Sequence, residues 1–316
     1  MAPALGLFGC GYPGEPLPPL LNIPQRVTDL AAVERGSKII VQFTVPKLTT
    51  ESVVIKGPLH FDLRAGERGP APFDTNAWAA SAKSVGEVTP VEGHVRYEVP
   101  AMPWIGKEVV FAVKVSGPGG KDAGWSNPVV VSVVPSLNKP DELKALPVRE
   151  GVRVAWRGSG PSYRVYRRAQ DEKEFSVAAT SNTNEWSDVK TEYGKTYRYL
   201  VQAMAGQAES EPSDEVAITT RDIFPPAIPS GLTAVPTTNS IELAWEPVTD
   251  ADLAGYRIYR APAAGGDFER IGETAQAPSF SDRKIEPGKQ YRYAVSAFDG
   301  NGNESERSQP IEVSAP

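Results

Sequence analysis

The heptapeptide Tyr291-Arg292-Tyr293-Ala294-Val295-Ser296-Ala297 follows the turn signal Pro287-Gly288-Lys289. Its apolar and polar residues alternate with a period of two, the pattern of a strand with one face buried. Ninety-four residues earlier the chain reads Tyr197-Arg198-Tyr199-Leu200-Val201-Gln202-Ala203, behind Gly194-Lys195. Working outward, Ile241-Glu242-Leu243-Ala244-Trp245 repeats Val152-Arg153-Val154-Ala155-Trp156 at an offset of 89, and Tyr256-Arg257-Ile258-Tyr259-Arg260 repeats Tyr163-Arg164-Val165-Tyr166-Arg167 at an offset of 93. Offsets that drift by a few residues are those of repeated units with variable loops.

The first third holds a more distant copy. Ile39 to Phe43 stands for the tryptophan strand, and Leu59 to Arg64 for the Tyr-Arg-x-Tyr-Arg strand. Gly106-Lys107 precedes the alternating Val109 to Val115, and Ser126-Asn127-Pro128 lies 182 residues before Ser308-Gln309-Pro310. Short strands with turn signals every 8–12 residues predict an all-β chain of antiparallel sandwiches. No stretch predicts an amphipathic helix.

These residues resemble the fibronectin type III family. The features that carry the resemblance are a tryptophan on the second strand, tyrosines on the third and sixth, a Pro/Gly turn before the sixth, and Ser-x-Pro before the last. The resemblance implies three tandem immunoglobulin-like (fibronectin type III) sandwiches: a divergent one over 22–136, with Phe43 for the tryptophan and Val109 for the tyrosine, then 137–221 and 222–316, after a segment 1–21. It places Trp156 and Trp245 between their sheets, each ring contributing about 2–3 kcal/mol on burial. It also places Tyr197 and Tyr291 at a tyrosine corner. The joints Pro135 to Pro140 and Phe224-Pro225-Pro226 are proline-rich, which predicts stiff connections and an extended rod.

Composition narrows the function. Asp plus Glu number 39 against 33 Lys plus Arg, a formal charge of −6, so the basic face that phosphates require is not expected and nucleic acid is not an expected partner. The single cysteine, Cys10, excludes an intrachain disulfide. Leu7-Phe8-Gly9-Cys10 resembles a bacterial lipobox, which implies cleavage before Cys10, a diacylglycerol on its sulfur, and a Pro-rich tether after it. No Lys or Arg precedes Cys10, so either a positively charged leader starts upstream of Met1, or the match is accidental and Cys10 is a free thiol on a tail. The expectation is a lipid-anchored cell-envelope protein, with a membrane contact through Cys10 and protein partners; the alternative is a carbohydrate-binding accessory protein of a secreted degradative system.

Catalytic signals are weak. His60 and His94 are the only histidines, with no cysteine or spaced carboxylate to complete a metal site, and neither a nucleophile elbow nor a phosphate loop is found. No cofactor is expected. Asp299-Gly300-Asn301-Gly302-Asn303 reads as a turn, because Glu304 and Pro310 stand where an EF-hand needs Gly and Glu. Asp250 and Asp252 read as loop residues, with a calcium role as the alternative. The long segment from Ala65 to Gly93 holds Phe73 and Trp78; these and Trp125, which has no tryptophan counterpart in the other units, are the candidate partner contacts, with core packing the competing reading of Trp78.

Overall fold

The structure, a computed structural model, describes residues 22–316, so Cys10 and the lipobox lie outside the described residues. The chain is all-β, in three tandem antiparallel sandwiches. Each is a three-stranded sheet packed on a larger one.

In the first unit Ala31–Arg35, Lys38–Thr44 and His94–Pro100 face a five-stranded sheet built on His60–Glu67 and Glu108–Ser116. In the second, Asp141–Val148, Gly151–Arg157 and Glu185–Asp188 face a sheet centred on Ser162–Ala169 and Thr196–Ala205. In the third, Thr233–Pro236, Ile241–Ala244 and Ser279–Asp282 face a sheet centred on Leu253–Pro262 and Gln290–Asp299. Each unit has its own apolar cluster: one draws on residues from Val27 to Val133, one on residues from Leu137 to Ile218, and one on residues from Leu232 to Ala315.

The repeated sequence becomes repeated geometry. Trp156 meets Tyr163 edge-on with ring centroids 5.2 Å apart, and Trp245 meets Tyr256 at the same 5.2 Å. The corner tyrosines also agree: the Tyr197 hydroxyl accepts from the Glu192 N–H and the Tyr291 hydroxyl from the Glu286 N–H, both at 3.0 Å. In all three units one serine replaces a rung of the sheet ladder. Val113, Val201 and Val295 donate their backbone N–H to the hydroxyls of Ser126, Ser213 and Ser308, and each serine N–H returns a bond to the same valine's carbonyl at 2.8 Å. The last strand thus turns away without orphaning a buried donor.

Between the sheets of units two and three sits a charged group. Asp188 and Asp282 are buried on the three-stranded sheets, and each accepts from a tyrosine and an arginine of the opposite sheet. Tyr199 donates at 2.9 Å and Arg167 at 3.1 Å to Asp188; Tyr293 donates at 2.8 Å and Arg260 at 2.7 Å to Asp282. The strand registers locate the same positions in unit one. Asp188 pairs with Val152 and Asp282 with Ile241, while Val99 pairs with the equivalent Ile39; Arg167 and Arg260 pair with Tyr199 and Tyr293, while Ala65 pairs with Phe111. Unit one therefore fills the Asp-Tyr-Arg positions with Val99, Phe111 and Ala65, all buried. This substitution explains why its sequence diverges while its sandwich does not.

One element departs from the sequence expectation. The long segment of unit one contains a helix, Thr75–Ser81, capped by Asp74, whose carboxylate accepts from the N–H groups of Asn76 and Ala77. Seven residues are too few for a helical period to show against the surrounding loop. Among the described residues no helix is long and apolar enough to cross a membrane.

Removing the aspartate takes the acceptor from the buried Tyr293 hydroxyl and the counter-charge from Arg260, which keeps the Lys284 carbonyl, whereas replacing all three by apolar residues of matching shape need not be costly. Asp282→Ala is expected to destabilise unit three by about 3–5 kcal/mol in urea unfolding. The triple change Asp282→Val, Tyr293→Phe, Arg260→Ala, copying unit one, is expected to lose less than the single change. Burial, and then the neighbouring aspartate, push the phenols of Tyr199 and Tyr293 well above the usual range. A phenol whose pKa is raised by folding contributes stability that is complete below its unfolded value and lost as pH rises. Stability is therefore expected to fall as pH climbs past about 10, and Tyr199→Phe with Tyr293→Phe to blunt that fall in pH-dependent unfolding.

Candidate functional site

Among the described residues, two regions stand out for the candidate residues they hold. The first is the outer face of the larger sheet in unit one. Val110 and Ala112 point away from the main core and are covered by Trp78 and Ala79 of the helix, with Phe73, Trp125 and Val130 around them. Phe73 and Trp78 lie 6.1 Å apart, centroid to centroid. The structure thus brings the three candidate aromatics together, but only 6% of Trp78 is exposed, so it offers no ring face to a partner. Gly66 makes this fit possible: a Cβ there would lie 3.0 Å from the Trp78 indole nitrogen. Trp125 is half-buried, and its ring is approached by the Arg64 guanidinium at 5.3 Å and the Lys114 ammonium at 5.0 Å. Arg64 also donates to the Ala79 carbonyl near the helix end, where a cation complements the helix dipole. The cluster is a satellite core sealed by cations.

The second region lies where unit two meets unit three. Asp222, Asp252 and Asp299 each bring a carboxylate oxygen within 4.8 Å of the others. Such oxygens are the donors calcium takes. Two of the three are already committed within the protein. Asp299 is buried and accepts from the N–H groups of Asn301 and Asn303 and from the Asn303 amide at 2.7 Å; Asp222 accepts from the Asn301 amide at 3.0 Å. The turn reading of Asp299 to Asn303 therefore describes its local bonds, and the turn additionally grips the preceding linker. Desolvation, then the nearby Asp222 and Asp299 carboxylates, raises the pKa of the exposed Asp252.

Sequence reasoning missed the convergence of Asp222 with Asp252 and Asp299, since nothing local marks Asp222; the one available signal was its position next to Phe224-Pro225-Pro226. His60 opens one strand and His94 another, in opposite sheets of unit one, and both are exposed.

The family model for the fibronectin type III domain matches residues 227–314. An amylopullulanase of Thermoanaerobacterium saccharolyticum is 36% identical over 88 residues, which are 28% of this chain and 7% of that protein. Exoglucanase B of Cellulomonas fimi is 34% identical over 168 residues, 49% of this chain and 14% of that protein. The chain thus spans only a small part of the curated relatives it matches. The FN1–FN3 domains of chicken CNTN1 align over 92% of this chain and 99% of theirs, with 16% identity and a TM-score of 0.31.

Trp78→Ala is expected to destabilise unit one by about 3–5 kcal/mol, as truncation of a buried tryptophan does. Trp125→Ala is expected to cost less because its ring is only half-buried. Denaturant unfolding followed by circular dichroism measures both.

Proposed function

From a third unit that belongs to the fibronectin type III family, we propose that the chain is a non-catalytic spacer and binding rod, or structural subunit, of the bacterial cell envelope, anchored by lipid on Cys10 and engaging protein partners. The observation that supports the spacer part of this reading is the construction of the joints; the anchor rests on the lipobox resemblance of Leu7 to Cys10. Units one and two are joined through a sheet: Arg35 bridges to Glu209 in parallel register, the Gly36 N–H donates to the Glu209 carbonyl at 2.9 Å, and the Arg35 guanidinium donates to the nearly buried Glu209 carboxylate at 2.7 Å. Units two and three are joined by a linker bonded to its neighbours from Asp222 to Ala227. Bonded joints between self-sufficient cores suit a part that holds two things at a set separation. A loose tether would need none of them.

A second reading, a carbohydrate-binding accessory module of a secreted degradative system, draws support from the relatives, whose names denote enzymes acting on glucans. The buried Trp78 and the cation-flanked Trp125 weigh against a sugar platform at that patch, since sugar stacking needs an open ring face.

Intact-mass analysis of the chain extracted from native membranes is expected to find a diacylglyceryl group on Cys10; an unmodified chain beginning at Met1 in the soluble fraction would overturn the anchored reading. Co-sedimentation with insoluble starch and cellulose is expected to leave the chain in the supernatant. Retention on either polymer, abolished by free oligosaccharide, would favour the accessory reading instead.

A further inference from the structure

We propose that the joint between units two and three is a salt-sensitive latch, with Arg149 as its bolt. Arg149 sits in the two-residue turn between the strands Asp141–Val148 and Gly151–Arg157 of unit two, and its side chain leaves that unit. It donates to the Pro225 carbonyl of the linker at 2.7 Å, pairs with Asp250 of unit three at 3.4 Å, and lies 6.0 Å from the centre of the Phe224 ring.

The receiving side is built to stay still. Asp250 also accepts from the Ala227 N–H at 3.1 Å, fixing the end of the linker to unit three. The Asn301 and Asn303 amides hold the Asp222 carboxylate and carbonyl at 3.0 and 3.2 Å, fixing its start. The linker thus belongs mechanically to unit three, and Arg149 reaches across to it from unit two. Tyr193 supports the bolt from behind, its hydroxyl donating to the Arg149 carbonyl at 3.4 Å. Burial and then the carboxylates of Asp222, Asp252 and Asp299 raise the Tyr193 pKa, which places this side chain in the field of the same acidic end of unit three.

The charges decide how firmly the latch holds. A single guanidinium faces Asp250 with Asp222, Asp252 and Asp299 close by, so opposite charge draws the two units together. Arg149 is 53% exposed, however, so this attraction is weak and screened by ions. The joint is therefore biased toward this closed arrangement in dilute buffer and loses that bias in concentrated salt. The joint between units one and two has backbone pairing and a nearly buried carboxylate, which salt reaches far less. The rod is accordingly inferred to bend at one place. The inference goes beyond the spacing reading and does not depend on it: a chain with no lipid and no partner carries the latch all the same.

Pulsed electron–electron spin distance measurements on the full chain test it. The background is Cys10→Ser, with spin labels on Lys173→Cys of unit two and Ala264→Cys of unit three, both exposed positions. A narrow distance distribution is expected at low salt. Arg149→Ala, and independently Asp250→Asn from the other side, are expected to broaden it about twofold by populating other orientations. In about 1 M salt, where the screening length falls to ~3 Å, the unsubstituted latch is expected to broaden to match them, and the two variants to change no further. Circular dichroism unchanged in both variants establishes that the units remain folded. Equal widths for all three chains at low salt, or a wild-type width indifferent to salt, would overturn the proposal.

Discussion

A carboxylate buried between two sheets governs the second and third units. Asp188 and Asp282 stand on one sheet, and their tyrosine and arginine partners on the other, so the group acts as a tie across the sandwich. A lone charge there would be costly to desolvate, and each carboxylate is met by the tyrosine hydroxyl, the arginine and a backbone N–H, that of Lys190 or Lys284. In the same two units Trp156 meets Tyr163 and Trp245 meets Tyr256 edge-on between the sheets. Unit one reaches the same architecture with Val99, Phe111 and Ala65. The tie is therefore one solution to closing this sandwich, and an apolar filling is another.

What remains common to all three units is backbone satisfaction. The serine hydroxyls of Ser126, Ser213 and Ser308 take the N–H that the departing last strand leaves behind. This is a small, directional need that an apolar side chain cannot meet, whereas core volume can be met in many ways. It accounts for the pattern of divergence: unit one keeps its serine while its aromatics change. Its larger sheet then has an apolar outer face at Val110 and Ala112, and the added helix with Trp78 covers it. The insertion and the altered strand belong together, because each removes the other's cost.

The strands were legible because alternation is a local property. The stretches around Trp156, Tyr163, Tyr197, Tyr256 and Tyr291 all fall in the strands their period predicts. Burial of Trp156 and Trp245 matches what the family resemblance carried by the repeat implies. The helix Thr75–Ser81 was not legible, being shorter than two turns and signalled only by Asp74. The joints were legible only as proline-rich connections. The contacts made there, such as Arg35 with Glu209 and Arg149 with Asp250, join residues 174 and 101 positions apart and leave no local trace. Asp222 and Asp299 are each ordinary in sequence, and their meeting depends on how a turn of one unit faces the linker from another.

The two joints differ in kind, and this gives the chain its mechanical character. Between units one and two, the Glu209 carboxylate is 6% exposed, its backbone carries the bridge, and Arg164 adds a second cation at 3.5 Å. Separating those units would break the backbone bridge and the Arg35–Glu209 pair together, so the joint shares the cooperativity of the folded sheets. Between units two and three the cross-contacts rest on an exposed arginine and a linker already claimed by the third unit. Little is left unsatisfied there on separation, because water can replace each bond. Chain stiffness is thus unequal along its length, with a firm two-unit base and a third unit whose aim is set by charge.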